Sequence, residues 1–295
     1  MNHPFTFHSA LIALLAATAS SVHADGNYQY EFLAERSNTD DDTSELDSTA
    51  IAARIYFDEV RVGNHPYEEA GFLSKTSNLI VGYGNSEFTF PTRNVDVDSL
   101  AVIGEYISPE SSMILQAAYS NNKYDYSNGI TGTADGDGVG IAIGAYLDSS
   151  STILFSITSI KTDVMFTSPL QSYDIEQRSI DVAYKTVQEY NNNTATNVEF
   201  SVASSQVEIS GSKGTNTIID FAGDYYFNRA TSVGGVFGLN SGDDRADEGK
   251  TFGLRATHYL TPYFSLYAEI DKFKADDKQA GEDADTTLIG ATARF

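Results

Sequence analysis

Apolar and polar residues alternate with period two along almost the whole of this 295-residue chain. No other feature restricts its fold as strongly, because residues i, i+2 and i+4 share one face of a strand. In NYQYEFLAE, Tyr28, Tyr30, Phe32 and Ala34 fall on one face, with Asn27, Gln29, Glu31 and Glu35 on the other. In STAIAARIYF, Ile51, Ala53, Ile55 and Phe57 oppose Ala50, Ala52, Arg54 and Tyr56. DFAGDYYF and YFSLYAEI repeat the pattern, and helical periodicity is scarce. Fourteen such runs can be counted, near 27–37, 46–58, 76–86, 96–107, 112–124, 137–148, 152–165, 174–187, 195–208, 216–227, 231–240, 250–260, 263–274 and 285–295. Twelve or sixteen strands are the alternative counts.

The connections fall into two kinds. One set is tight: SPES, DSSS, NRAT and TP. The other is longer and acidic: SNTDDDTSE, DYSNGITGTADGDG, NSGDDRADEG and KADDKQAGEDA. Tight turns at one end and long polar loops at the other are the pattern of a transmembrane barrel. The exception is the link Glu59 to Lys75 on the tight-turn side, where Pro66 can start a brief helix. Fourteen strands in an open sheet would leave hazardous edges, and closure removes them. In lipid only helices and closed barrels satisfy every backbone polar group, and a strand of ~9–11 tilted residues crosses the bilayer. The fold expected is therefore all-β: a transmembrane, antiparallel, up-and-down β-barrel of about fourteen strands. Its last strand, TTLIGATARF, is expected to pair with the first and to turn Ile289, Ala291, Ala293 and Phe295 to lipid.

Composition excludes several classes. The balance of 18 Lys+Arg against 41 Asp+Glu gives a formal charge of −23, which repels nucleic acid. The absence of Cys removes disulfides and thiolate metal sites. Residues 1–24 read as a signal peptide, with the apolar run Ser9 to Ser20 and small residues in VHA before Asp25. Residues 25–295 would then form the barrel. No cofactor and no metal site are expected. The acidic DGDG at Asp135 to Gly138 lacks the spacing and closing Glu of an EF-hand.

The leader running into NYQYEFLAERSNTD, the segment IYFDEV…HPYEEAGFLSKTSNLIVGYG and the terminal ATARF resemble the bacterial outer-membrane family called "putative general bacterial porins". The resemblance implies a cell outer-membrane barrel for passive diffusion of small hydrophilic solutes. It also implies contact with outer-membrane lipid and lipopolysaccharide, and a terminal aromatic, Phe295, read by the barrel assembly machinery. Monomer and homotrimer both remain open. No outer loop is long enough to form the constriction loop of the larger, sixteen-stranded porins.

If the apolar faces meet lipid, parity assigns Glu31, Glu35, Glu105, Asp181, Glu199, Asp220, Asp224, Glu269 and Asp271 to the lumen, with Arg54, Lys185, Arg255 and Arg294. Acids in excess on a pore wall favour cations, so a water-filled pore with weak cation preference is expected. Two other readings compete with it. A saccharide-selective channel would use the lumen residues Tyr56, Tyr226 and Tyr267 as a stacking track. A structural or adhesive barrel would need a dense set of large inward side chains, and the sequence shows none. Catalysis is not expected: only His65 and His258 follow the leader, without a G-x-S-x-G or H-E-x-x-H motif.

Overall fold

A computed structural model of the chain describes residues 27–295 apart from 42, 130, 168–169, 191–192, 243–247 and 277–282. Residues 1–24, expected to be a signal peptide, lie outside the described residues. The strands are β1 (Tyr28–Asp41), β2 (Glu45–Val60), β3 (Asn78–Phe90), β4 (Arg93–Ile107), β5 (Met113–Ser127), β6 (Gly132–Tyr146) and β7 (Ser151–Thr167). They continue as β8 (Leu170–Glu189), β9 (Ala195–Ile209), β10 (Ser212–Asn228), β11 (Thr231–Gly242), β12 (Gly249–Thr261), β13 (Phe264–Ala275) and β14 (Ala284–Arg294). Each pairs antiparallel with its sequence neighbours, and β14 returns to β1 to close the barrel. All fourteen expected strands are present.

The burial pattern is inverted relative to a water-soluble protein. Ile141, Leu254, Phe57, Ile153, Ile157, Phe200, Phe221, Leu266 and Ile289 point outward and are exposed. A continuous apolar surface on this scale marks contact with a membrane. On β7 the outward residues Ile153, Phe155 and Ile157 give way to Ser159, Lys161 and Asp163. On β5 the change comes after Tyr119, whose hydroxyl donates to Asp137 on β6 at 2.7 Å. On β3, Tyr83 donates to Asp98 of β4 at 2.5 Å. These tyrosines stand where the apolar belt meets the charged zone, the place of an interfacial aromatic girdle.

Above that line the strands do not end. Two of the four acidic stretches read as loops are largely ladder: SNTDD closes β1, and Thr133 to Asp137 lie in β6. The hairpin between β9 and β10 turns on Ser210 and Gly211 alone, both with positive φ, as a two-residue turn between twisted strands requires. DGDG is correspondingly no loop. Asp135 and Asp137 face outward and their glycines inward, with Asp135 opposite Lys123 and Asp163.

One assignment of faces changes. Tyr28 was expected beside Tyr30 on the lipid face. The β1–β2 register shifts between these two residues, which turns Tyr28 inward, where it is fully buried under the Arg294 guanidinium. An extra residue in one strand reverses every face beyond it.

The link between β2 and β3 departs furthest from expectation. Residues 61–77 turn into the barrel at the end that holds Phe295, and their helix, α1 (Ala70–Leu73), is a single turn. Pro66 precedes it, and its carbonyl accepts from the Glu69 amide at 3.1 Å. This segment is called the plug below. Val62 and Ala70 pack with Tyr28, Tyr56 and Val60 in a buried cluster. Gly71 permits the approach: a Cβ there would lie 2.5 Å from the Tyr56 hydroxyl.

The seam between β1 and β14 runs from Glu31 opposite Arg294 to Asp41 opposite Ala284. Phe295 extends it. Its carbonyl accepts from the amides of Gln29 and Tyr30, and its own amide donates to Tyr30; its ring meets Phe32 edge-on at 5.7 Å. Each such hydrogen bond is worth about 0.5–1.5 kcal/mol net. Deleting Phe295 should therefore lower the temperature at which the folded barrel loses its compact electrophoretic mobility. An unchanged transition would show that the seam does not depend on this residue.

Candidate functional site: a plugged lumen

The thirteen charged residues assigned to the lumen all lie on inward faces, and the structure gathers them mainly at the plug end. Arg294 holds Glu31 through Nε at 2.7 Å and Nη2 at 2.6 Å. Arg54 meets the other oxygen of Glu31 at 3.3 Å. Arg255 grips Asp224 with a fork of 2.8 and 2.5 Å. Lys185 lies between Glu199 at 3.0 Å and the plug residue Glu69 at 2.9 Å. Asn197, buried on β9, donates to both Glu199 and Asp224. These links join β8, β9, β10 and β12 into one polar network.

Most of the other acids lie against neutral groups or against one another. Glu105 accepts from the amides of Asn78 at 2.7 Å and Gln116 at 2.6 Å. Glu35 accepts from the Tyr267 hydroxyl at 2.5 Å. Asp181 is hydrogen-bonded to Ser156, and Glu269 and Asp271 to one another. Asp220 lines the same space beside Ala222 and Ser201.

The plug is pinned around the circumference. The Tyr67 amide donates to the Arg229 carbonyl at 2.8 Å, and the Tyr67 carbonyl accepts from Arg294 at 2.5 Å. Arg229 also donates to the carbonyls of His65 and Gly63. Glu68 accepts from Ser232 at 3.0 Å and Thr257 at 3.3 Å. Glu69 accepts from Tyr226 at 2.8 Å. The Phe72 carbonyl accepts from Tyr146 at 2.7 Å, and Lys75 reaches the Asp148 carbonyl at 2.9 Å. No motif in the sequence signalled this. The partners of Glu68 and Glu69 lie more than a hundred residues away, and in the chain the two glutamates look like solvated surface.

The plug corrects two expectations about the lumen. A dense set of large inward side chains does exist: Tyr28, Tyr56, Tyr226, Tyr259 and Arg294 are all buried around the plug. The proposed tyrosine track is absent. Tyr56 and Tyr226 are 3% and 1% exposed, and the Tyr267 ring lies flat against Gly290. Of the two histidines, His65 in the plug contacts Glu189 at 2.8 Å. His258 faces outward and contacts Thr231 at 2.9 Å.

Among the described residues, two cavities along the lumen are well formed. One of about 390 Å³ is lined by β3 to β8 and has no charged residue in its lining; Phe88, Val97, Ile160 and Ile175 line it together with Ser99, Asn122 and Gln177. The other, of about 530 Å³, lies over the plug and includes Gly71 and Phe72 with Arg54, Glu105, Lys185, Glu199 and Asp220. Ile103 and Gln116 belong to both linings. Among the described residues no group of three or more His, Asp or Glu could hold a metal ion.

A lumen of polar side chains, an apolar outer belt and a closed fourteen-stranded wall define a channel-type outer-membrane barrel. The chain belongs to the family described as "Putative general bacterial porin", which matches residues 8–295. The fold is similar to that of the Acinetobacter baumannii outer membrane protein Omp33, with a TM-score of 0.57 and 17% identity over 92% of this chain and 100% of that one. It is also similar to the monoaromatic hydrocarbon channel CymD, at 0.55 and 9% identity over 91% and 89%. A mutant of the monoaromatic hydrocarbon channel TodX gives 0.52 and 7% over 92% and 91%. No curated protein matches the sequence.

Glu68 gives the plug a pH response. Burial raises its carboxyl above the ordinary range, and Glu69 and Asp224 push the same way, against the Ser232 hydrogen bond and the Arg255 charge. A raised value means that the docked plug favours the protonated acid. Docking is therefore strongest at low pH and weakens as pH rises through that value. Because the chain has no Cys, a spin label at Asn64→Cys reports the plug alone. Its mobility should increase with pH, and Glu68→Gln should flatten the response. A second prediction concerns Lys185→Met, which leaves Glu69, 2% exposed, without its cation. Breaking a buried pair costs roughly 3–5 kcal/mol, so the same label should become mobile in Lys185→Met and partly recover in Lys185→Met/Glu69→Gln.

Proposed function

We propose that this protein is an outer-membrane diffusion channel for small hydrophilic solutes and ions, with a weak preference for cations, narrowed by the plug at the end that holds Phe295. The charge balance of the inward wall carries this reading. Among the described residues, the inward cations Arg54, Lys185, Arg255 and Arg294 each lie against a carboxylate. Glu35, Glu105, Asp181, Glu269 and Asp271 are held instead by hydroxyls, amides or one another. The nine carboxylates assigned to the lumen outnumber its four named cations, and a wall with that excess of negative charge favours cations.

The location brings its own partners. Phe295 would serve as the assembly signal read by the barrel assembly machinery. The charged outward faces above the tyrosines, among them Lys123, Lys161 and Lys272, would meet lipopolysaccharide.

Planar-bilayer recording tests the function. The reversal potential in a KCl gradient should indicate modest cation selectivity. Combining Glu105→Gln, Asp181→Asn, Glu269→Gln and Asp271→Asn should move it toward zero. Replacing residues 62–74 with a Gly/Ser linker should raise single-channel conductance several-fold. Anion selectivity of the unaltered protein, or no conductance even without the plug, would overturn the proposal.

A further inference from the structure

The cavity over the plug contains an unbalanced pair of charges. Glu31 is shared by two arginines, and Arg294 holds it at 2.6 and 2.7 Å, closer than Arg54 at 3.3 Å. Arg54 makes both of its side-chain contacts, to Glu31 and to the Tyr56 hydroxyl, through Nη1 alone. Its Nε has no partner, and the side chain is 39% exposed. One positive charge is therefore left over on the β2 wall. On β4, Glu105 is held only by the neutral amides of Asn78 and Gln116, which leaves one negative charge. Lys185 offers no positive surplus, since it sits between the two carboxylates Glu69 and Glu199, and Asp220 adds a further carboxylate to the same lining.

The two surplus charges line the same cavity. Arg54 is opposite Ile80, and Ile80 is opposite Ile103; one pleat repeat away, Asn78 is opposite Glu105. Two strand spacings and one repeat put the two Cα atoms about 12 Å apart, and both side chains shorten that gap by reaching inward. Ile80, Ile103, Ile114 and Leu154 line the cavity with them.

We infer that this cavity is a binding site for a small zwitterion, an amino acid or short peptide bearing a free ammonium and a free carboxylate. The ammonium would pair with Glu105, the carboxylate with Arg54, and an apolar side chain would lie on the isoleucines. A lone cation would pair with Glu105 but meet Arg54, a lone anion the reverse, and a sugar would leave both charges without a counter-ion. The inference rests on the channel reading, since the ligand must reach the lumen, but equilibrium binding separates the two.

Titration calorimetry of the refolded full chain in detergent, with glycyl-leucine, N-acetylglycyl-leucine and glycyl-leucinamide, tests the site. The dipeptide should bind about tenfold more tightly than either blocked form, about 1.4 kcal/mol. Arg54→Gln should abolish the advantage over the amide, and Glu105→Gln the advantage over the N-acetyl form. Arg54→Lys should retain part of the first, and compact electrophoretic mobility shows that each variant is folded. Equal affinities for the three compounds, no binding of the dipeptide, or a variant that weakens all three alike would overturn the site. Conductance measured on the same preparation fails or succeeds independently.

Discussion

Everything in this structure depends on closing the hydrogen-bond ladder between β1 and β14. A strand edge in hydrocarbon leaves amides and carbonyls with no partner, at several kcal/mol each. Pairing Glu31 through Asp41 with Arg294 through Ala284 removes the last such edge. Closure fixes the parity of every strand, and parity separates an apolar exterior from a polar lumen. The polar groups inside can then be numerous, because they face the lumen and one another rather than lipid.

The plug uses that polar interior in a way the barrel wall alone does not need. Ion pairs taken out of water lose hydration that their mutual attraction only partly returns. Those around Glu31, Glu69 and Asp224 thus contribute more to position than to stability. Each links strands distant in sequence: Arg294 to Glu31 across the seam, Lys185 to the plug through Glu69. The Phe72 and Tyr67 carbonyls, held by Tyr146 and Arg294, add points on opposite sides of the opening. A segment tied at so many points moves as a unit or not at all, and its position is set by ion pairs and hydrogen bonds together with the apolar contacts of Val62, Ala70 and Phe72.

The barrel was legible in the sequence because its signal is local. Period-two alternation is written in each strand separately, and errors in one do not spread. The strands run further than expected at the loop end because their outward faces turn polar beyond Tyr119 and Ile157, which erases the contrast that marks alternation. Tyr28 was misassigned for a related reason, since a register shift leaves no trace in the pattern. The link that forms the plug was legible as an unusually long connection with a brief helix after Pro66, but its inward course and its partners were not. GNHPYEEAGFL has no periodicity, and its partners, Tyr146, Lys185, Tyr226, Ser232, Thr257 and Arg294, come from six strands. The inward charges could be listed by parity, but their division into paired and surplus groups depends on reach and angle, which sequence does not encode.

That division has an axial consequence. The uncharged cavity between β3 and β8 and the charged cavity over the plug share Ile103 and Gln116, so they lie in series. The first is lined by apolar side chains such as Phe88, Val97, Ile160 and Ile175 as well as by hydroxyls and amides, and it carries no charge. Of the two, the second carries the charged side chains, and there the low-dielectric wall and the plug strengthen each interaction relative to open water. The same plug residues that narrow the opening, Glu69 above all, also hold Lys185 in place on the cavity wall. Constriction and recognition therefore rest on one set of contacts, and a change that frees the plug necessarily alters the charge that a solute meets there.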